Sequence, residues 1–323
     1  RNTSLCLQNE PHASRGSFWR LMAIAVIIMC LLFVTVDLGH PERFHHLLPP
    51  WGKLNFPGSI LAWDVIVLNG YLLLNMHICG YLLYCYYREK KPTWLFYIPF
   101  VFVAIIWAVS IHTVTAFLYV GLAGRPYWNH PIVAPRFLAS AFTAGPALLI
   151  VTFQVIRKFT NYWIGDDPIF TLRRVITIAM IINVFLLGCE IFAEFYTDTV
   201  HQSAANYLYF GLHGHNGLVP WIWTAIVLDV IGLTLLLTPW SHRISGLNTA
   251  CIVCFTGIWI EKGMGLIIPG FVPSPLGEIV EYLPSLNETL VCLGIWSFGI
   301  LVYSWMLHVA IPIMNGTLKK TSS

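Results

Sequence analysis

Eight times along 323 residues the chain runs for roughly twenty positions or more with almost no charge. A bilayer core of about 30 Å is crossed by about 20 helical residues. Lipid offers no water to free N–H and C=O groups, so only helices and closed barrels cross it. The runs predict helices over 17–37, 58–86, 95–120, 137–157, 173–197, 217–238, 246–269 and 288–313. They are rich in Val, Ile and Phe, which also suit strands, but run length decides for helix. The expected fold is an all-α polytopic membrane protein with eight transmembrane helices. Composition agrees, because 57% of residues are apolar, 10% are charged and the mean hydropathy is +0.70, far from the range of soluble domains.

Lys and Arg fix an expected orientation, since they gather on the cytoplasmic side. Thirteen fall on one side when alternate connections are grouped, among them Arg88, Lys90, Lys91, Arg157, Lys158 and Arg243. Four fall on the other (Arg43, Lys53, Arg125, Arg136), and Lys262 lies within a run. Both termini are therefore expected in the cytoplasm, with the chain in the cytoplasmic membrane of a prokaryote. The expected outer connections, 38–57, 121–136, 198–216 and 270–287, are rich in Pro, Gly and aromatics, which directs attention to the outer face. Four segments follow: a polar opening at 1–16, a first bundle over 17–120, a second over 121–270, and an outer loop, last helix and tail over 271–323.

Several classes are excluded or set aside. A net charge of +3 is too small for a nucleic-acid binder. The opening "RNTSLCLQNEPHASRG" lacks the regions of a signal peptide; as the chain starts at Arg1, it reads as a fragment end. Most of the eight cysteines lie in apolar runs, where a thiol acts as a small hydrophobe. The Cys251–Cys254 pair has no second pair, which argues against a metal.

Ionisable groups inside a span are costly and need a partner, water or a task. Asp37 closes the first helix in "VTVDLGHPERFHHLLPP", and Asp64 lies about two turns into the second, with Tyr71 and Asn75 on its face. His112 sits at similar depth in the third, with Thr115 and Tyr119 on its face. Glu190 shares a stripe with Asn183 and Glu194, Glu261 and Lys262 occupy the outer half of the seventh helix, and His213 and His215 lie in "LHGHNG" just outside the sixth. Each alone suits a hydrogen-bonded packing role. Together they suit a site that exchanges protons with the outer compartment and receives an apolar ring from the lipid, as a quinol-oxidising or quinone-reducing pocket does. Asp229, in the inner half of the sixth helix, stands apart. A haem would need facing histidines, and no helix carries two at a stacking interval. No glycine-rich phosphate loop or cysteine cluster supports a bound electron carrier.

Six stretches, "VDLGHPERF", "SILAWDVIVLNGYLLLN", "WAVSIHTVTAFLYVGLAGRPYW", "APRFLASAFTAGPALLI", "YFGLHGHNGLVPWIW" and "IEKGMGLIIPGFVPSPLGEIVEYLPS", resemble in order those of the NrfD/PsrC family of quinone-interacting membrane subunits. The likeness runs from about Leu31 to the last helix and is strongest to the branch found in sulfur-metabolising prokaryotes. It implies two four-helix bundles, bound menaquinone or menaquinol, and no haem or iron–sulfur cluster in this chain. It also implies a ferredoxin-like iron–sulfur partner on the outer face, beside further membrane and cytochrome subunits. By motif, Asp37, Asp64 and His112 become the quinone and proton-handling residues, with Arg43, Tyr71 and Tyr119 around the ring. Glu190, His213, His215, Glu261 and Lys262 become a proton pathway in the second bundle. The family pattern has ten helices, two of them before the one that leads to "VDLG". With eight here, either the chain starts inside that pattern or a neighbouring subunit fills the place. Two other classes compete, a proton-translocating module driven by a redox partner and a purely structural anchor.

Overall fold

The computed structural model describes residues 11–47, 50–160, 162, 164–196, 201–272, 274 and 276–319; most of the polar opening segment lies outside them. Nine helices are named here in chain order: α1 Pro11–Asp37, α2 Ile60–Tyr87, α3 Ile98–Val120, α4 Val133–Phe159, α5 Asp166–Tyr196, α6 His201–Tyr209, α7 Val219–Leu237, α8 Ile244–Lys262 and α9 Leu286–Met314. Among the described residues, eight helical segments are long and apolar enough to cross a membrane, and no sheet forms. The protein is thus an all-α, multi-pass membrane protein.

Helix ends follow local chemistry. Residues Asp166 and Asp167 open α5 with Pro168 behind them, a first turn that suits the positive end of the helix dipole and needs no N–H from proline. The helix therefore starts seven residues before the predicted 173, and Arg173 lies inside it. There Arg173 donates to Ser241 Oγ at 2.8 Å and to the Leu236 carbonyl at 3.1 Å. Helix α9 opens with a capping box in which Ser285 accepts from the Glu288 N–H and Glu288 accepts from the Ser285 N–H.

The chain divides into two compact units, Arg1–Val114 with Pro284–Ser323, and Thr115–Leu283. In the first unit α1 packs on α2 and α9, and α9 also packs on α2. Close approach is possible because Gly299 of α9 leaves room for the Met29 side chain and Gly70 of α2 for the Trp107 ring, places that a Cβ would occupy. Leu21, Ile24, Cys79 and Ala310 form one apolar cluster, and Ile78, Leu82, Tyr86 and Ala104 another. Arg20 reaches Asn75 Oδ1 at 3.1 Å, and Asn75 donates to the Tyr71 carbonyl at 2.8 Å.

In the second unit the four long helices pack in a ring: α4 on α5 and α8, α7 on α5 and α8. Where α4 begins and α8 ends, the end that the Lys/Arg distribution assigns to the outside, the ring is closed by α6 and the turns Pro126–Trp128 and Pro269–Phe271. Their core includes Tyr127, Trp128, Ala205, Tyr207, Leu208 and Val272. Gly270 is pressed against the Trp128 ring so closely that a Cβ would fall within it. Beyond Lys262, α8 widens into a π-turn over Gly263–Ile267, a shift that moves carbonyls off the α-helical ladder and often marks a functional place. Two of these carbonyls are used: Gly265 accepts from the Tyr127 hydroxyl at 3.0 Å and Leu266 from Trp128 Nε1 at 2.8 Å.

Candidate functional site

The second unit holds an ionic cluster inside its ring. Arg136, one turn into α4, is 2% exposed and forms ion pairs with Glu190 of α5 and Glu261 of α8. Lys262 Nζ joins Glu261 Oε1 at 2.8 Å, and Asn183 Nδ2 donates to Glu261 Oε2 at 2.8 Å. Glu261 is thus completely buried and held by donors from three helices. An arginine fork is suited to this, since its several N–H groups satisfy two carboxylates at once. Breaking such a pair leaves an uncompensated charge, at a cost of about 3–5 kcal/mol.

Asp229 belongs to the same cluster. It is 1% exposed on α7, packs against Gly257 of α8, and lies within electrostatic range of Glu261, Lys262 and Arg136. Neither of its oxygens accepts a hydrogen bond from a described residue, and the same holds for Asn183 Oδ1. Toward the outer end, the Tyr127 hydroxyl lies 3.5 Å from Glu190 Oε1, and buried Glu194 stands one turn beyond Glu190. Burial pushes the Tyr127 phenol well above its ordinary value and the Tyr209 phenol up to about 12, so both remain hydrogen-bond donors.

His213 and His215 lie outside this cluster, in a tight two-residue turn. Leu212 and His215 exchange backbone hydrogen bonds of 2.9 Å each way, while His213 and Gly214 both have positive φ, +51° and +87°. That is the geometry of a type I′ hairpin turn. His213 is exposed at its tip. His215 Nδ1 stands 3.6 Å from Glu281, which also accepts from the Gly217 N–H at 2.8 Å and lies 3.5 Å from the Tyr207 hydroxyl. The Gly217 N–H, followed by His215, holds the Glu281 carboxyl below the usual range. Burial and Glu281 push the Tyr207 phenol up.

The first unit carries most of the other expected residues. Asp64 is 3% exposed on α2, within electrostatic range of Cys30 of α1. Tyr71 and Asn75 follow it on the same face, half-buried and buried. His112 is half-buried on α3, whereas Asp37 is exposed at the end of α1 and Arg43 is exposed on the short helix Pro41–Leu47. Tyr119 belongs to the second unit, where it packs on Trp128 and Phe137 at 5.1 Å and 6.0 Å between ring centres. His77 is bonded to the Phe96 carbonyl at 3.0 Å. Among the described residues no group of three or more His, Cys, Asp or Glu could hold a metal ion.

Sequence reasoning misses Arg136 as the centre of the cluster, because with a helix starting at 137 it reads as a loop cation. A lone Arg in the otherwise apolar "VAPRFLASAF" is the available signal. Asp229 stands apart in the sequence because its partners lie on other helices.

The fold defines an integral membrane protein of eight crossing helices with an ionic core in its second unit. Residues 13–273 match the family described as "Polysulphide reductase, NrfD", and the chain belongs to that family. It is 24% identical to the "Hdr-like menaquinol oxidoreductase integral membrane subunit" of Archaeoglobus fulgidus, with 87% of this chain and 72% of the relative covered. It is also 24% identical to a selenate reductase subunit of Mesobacillus selenatarsenatis, with 88% and 74% covered.

Proposed function

We propose that this chain is the quinone-reactive membrane subunit of a respiratory redox complex. It binds menaquinol or menaquinone near the outer face and exchanges electrons with a ferredoxin-like iron–sulfur subunit docked there. The observation that carries the reading is Asp64, a carboxyl buried in the outer part of an otherwise apolar helix, in a chain of the NrfD family. A relative is itself named as a menaquinol oxidoreductase subunit. The arrangement of both units as four-helix bundles, and a place among the sulfur-metabolising complexes of the DsrP type, belong to the same proposal.

The residues present fit such a ligand. A quinone ring asks for an apolar setting and, at its oxygens, groups that take or give protons. When bound it supplies two-electron, two-proton chemistry. Asp64 accepts a proton at its carboxylate, and His112 exchanges one at its ring nitrogen. Tyr71 offers a hydroxyl on the face below Asp64. Asp37 and Arg43, at the exposed end of α1 and in the loop after it, pass protons to solvent or meet the partner. Replacing Asp64 by Asn, or His112 by Gln, is expected to abolish quinol-dependent reduction of the iron–sulfur partner while the complex still assembles. Unchanged turnover in both variants would remove the assignment.

The buried ionic cluster favours a second reading, in which Glu190, Glu261, Lys262 and the outer His213 and His215 carry protons as a translocating module. Proton-to-electron stoichiometry in vesicles separates the two, because quinol oxidation alone releases only the quinol's own protons. A purely structural anchor predicts that a quinone analogue does not bind.

A further inference from the structure

The cluster in the second unit contains two cations, Arg136 and Lys262, and three carboxyl groups, Glu190, Glu261 and Asp229, all nearly or wholly buried. Arg136 takes Glu190 and Glu261, and Lys262 takes Glu261. Asp229 is left facing Glu261 across the α7–α8 contact, with no donor from any described residue to either oxygen. Two carboxyl groups that face each other in a dry interior do not both stay ionised; they share a proton. A metal cation would fill the same oxygens, but it would stand between a lysine and an arginine that repel it. A proton meets the need without adding another ion.

Access to that proton is one-sided. From Asp229 to the inner end of α7 is eight residues, about 12 Å of helix. The interior there is filled by Ile150, Phe153, Ile176, Met180, Leu236 and Leu247, each buried. The nearest polar side chains inward, Gln154 and Asn248, carry no titratable proton, and Arg173 closes the inner end on Ser241 and the Leu236 carbonyl. Cys254, the other group in range of Asp229, is fully buried in the same apolar packing. Outward, by contrast, Glu261, Glu190, Tyr127, Glu194 and Tyr209 lead to the outer turns.

We propose that the Asp229 carboxyl holds one exchangeable proton against the Glu261 carboxylate, and that this proton enters and leaves only through the outer end of the second unit. On release, the O–H bond of Asp229 breaks and the proton passes by Glu190 and Glu194 to outer water. The cluster then changes from neutral, with two cations and two carboxylates, to a net charge of minus one. The reservoir stores charge on one side of the membrane and is no through-path. It stands on the cluster's geometry alone and survives if the quinone assignment fails.

The test is infrared spectroscopy on the purified complex, reading the carbonyl stretch of protonated carboxyl groups. Asp229→Asn is expected to remove one such band, sensitive to H/D exchange, while Glu190→Gln leaves it in place. An unchanged band set in a folded Asp229→Asn protein overturns the proposal. Should that variant not fold, Asp229→Glu is expected to shift the band, and no shift overturns it equally. In proteoliposomes of known orientation, alkaline pH on the outer side should deplete the band, and alkaline pH on the inner side should not. Equal depletion from both sides overturns the one-sided access.

Discussion

At the scale of single residues, Arg136 has the largest expected effect. Arg136→Gln leaves Glu190 and Glu261 facing each other without their shared cation, and the loss expected is about 3–5 kcal/mol, read as a lowered Tm of the purified protein. Arg136→Lys keeps the charge but cannot fork to two carboxylates, so its Tm should fall between the two. Glu281 is the counterpart outside the membrane. Its folded-state pKa is lowered by the Gly217 N–H and His215, so its contribution is full above its unfolded value of about 4.3. That contribution is lost as pH falls through the lowered value. The protection factor of the Gly217 amide, measured by hydrogen exchange and corrected for the intrinsic rate, should therefore hold to mildly acid solution and fall below it. Glu281→Gln should lower it already at neutral pH.

At the scale of elements, glycines decide how closely helices and turns approach. A methyl at Gly270 meets the Trp128 ring, which is pinned by its hydrogen bond to Leu266. A methyl at Gly299 meets the movable thioether of Met29. Gly270→Ala should therefore cost about 1–3 kcal/mol and Gly299→Ala less, by thermal melts of the two variants. The same scale shows what is legible in advance. Run length alone locates every crossing helix, because the bilayer sets a minimum span that no other constraint overrides. The start of α5 escapes because Arg173 and Arg174 look like a cytoplasmic loop, although Asp166, Asp167 and Pro168 form a start signal. The stripe of Asn183, Glu190 and Glu194 is legible from spacing, and all three are buried. What they touch is not, since Glu261 comes from a helix 67 or more residues later and only packing brings it near.

At the scale of the whole molecule, topology rests on the Lys and Arg asymmetry. A single cysteine placed at Ser274 in a cysteine-free background should react with a membrane-impermeant maleimide from outside intact cells. One at Thr317 should react only after the cells are opened. The reverse pattern would turn the expected orientation over. With it the proton reservoir would open to the cytoplasm, while the internal geometry of the cluster stayed as it is.

The π-turn over Gly263–Ile267 amounts to a one-residue insertion carried inside a helix. Deleting one residue there, Met264 for instance, would let the helix run on in ordinary register and rotate all that follows by about 100°. Lys262 and Glu261, upstream, would keep their places, but the Gly265 and Leu266 carbonyls would swing away from Tyr127 and Trp128. In this stretch the number of residues therefore constrains the protein more tightly than their identity does, and a change in length is a graver lesion than most changes of side chain.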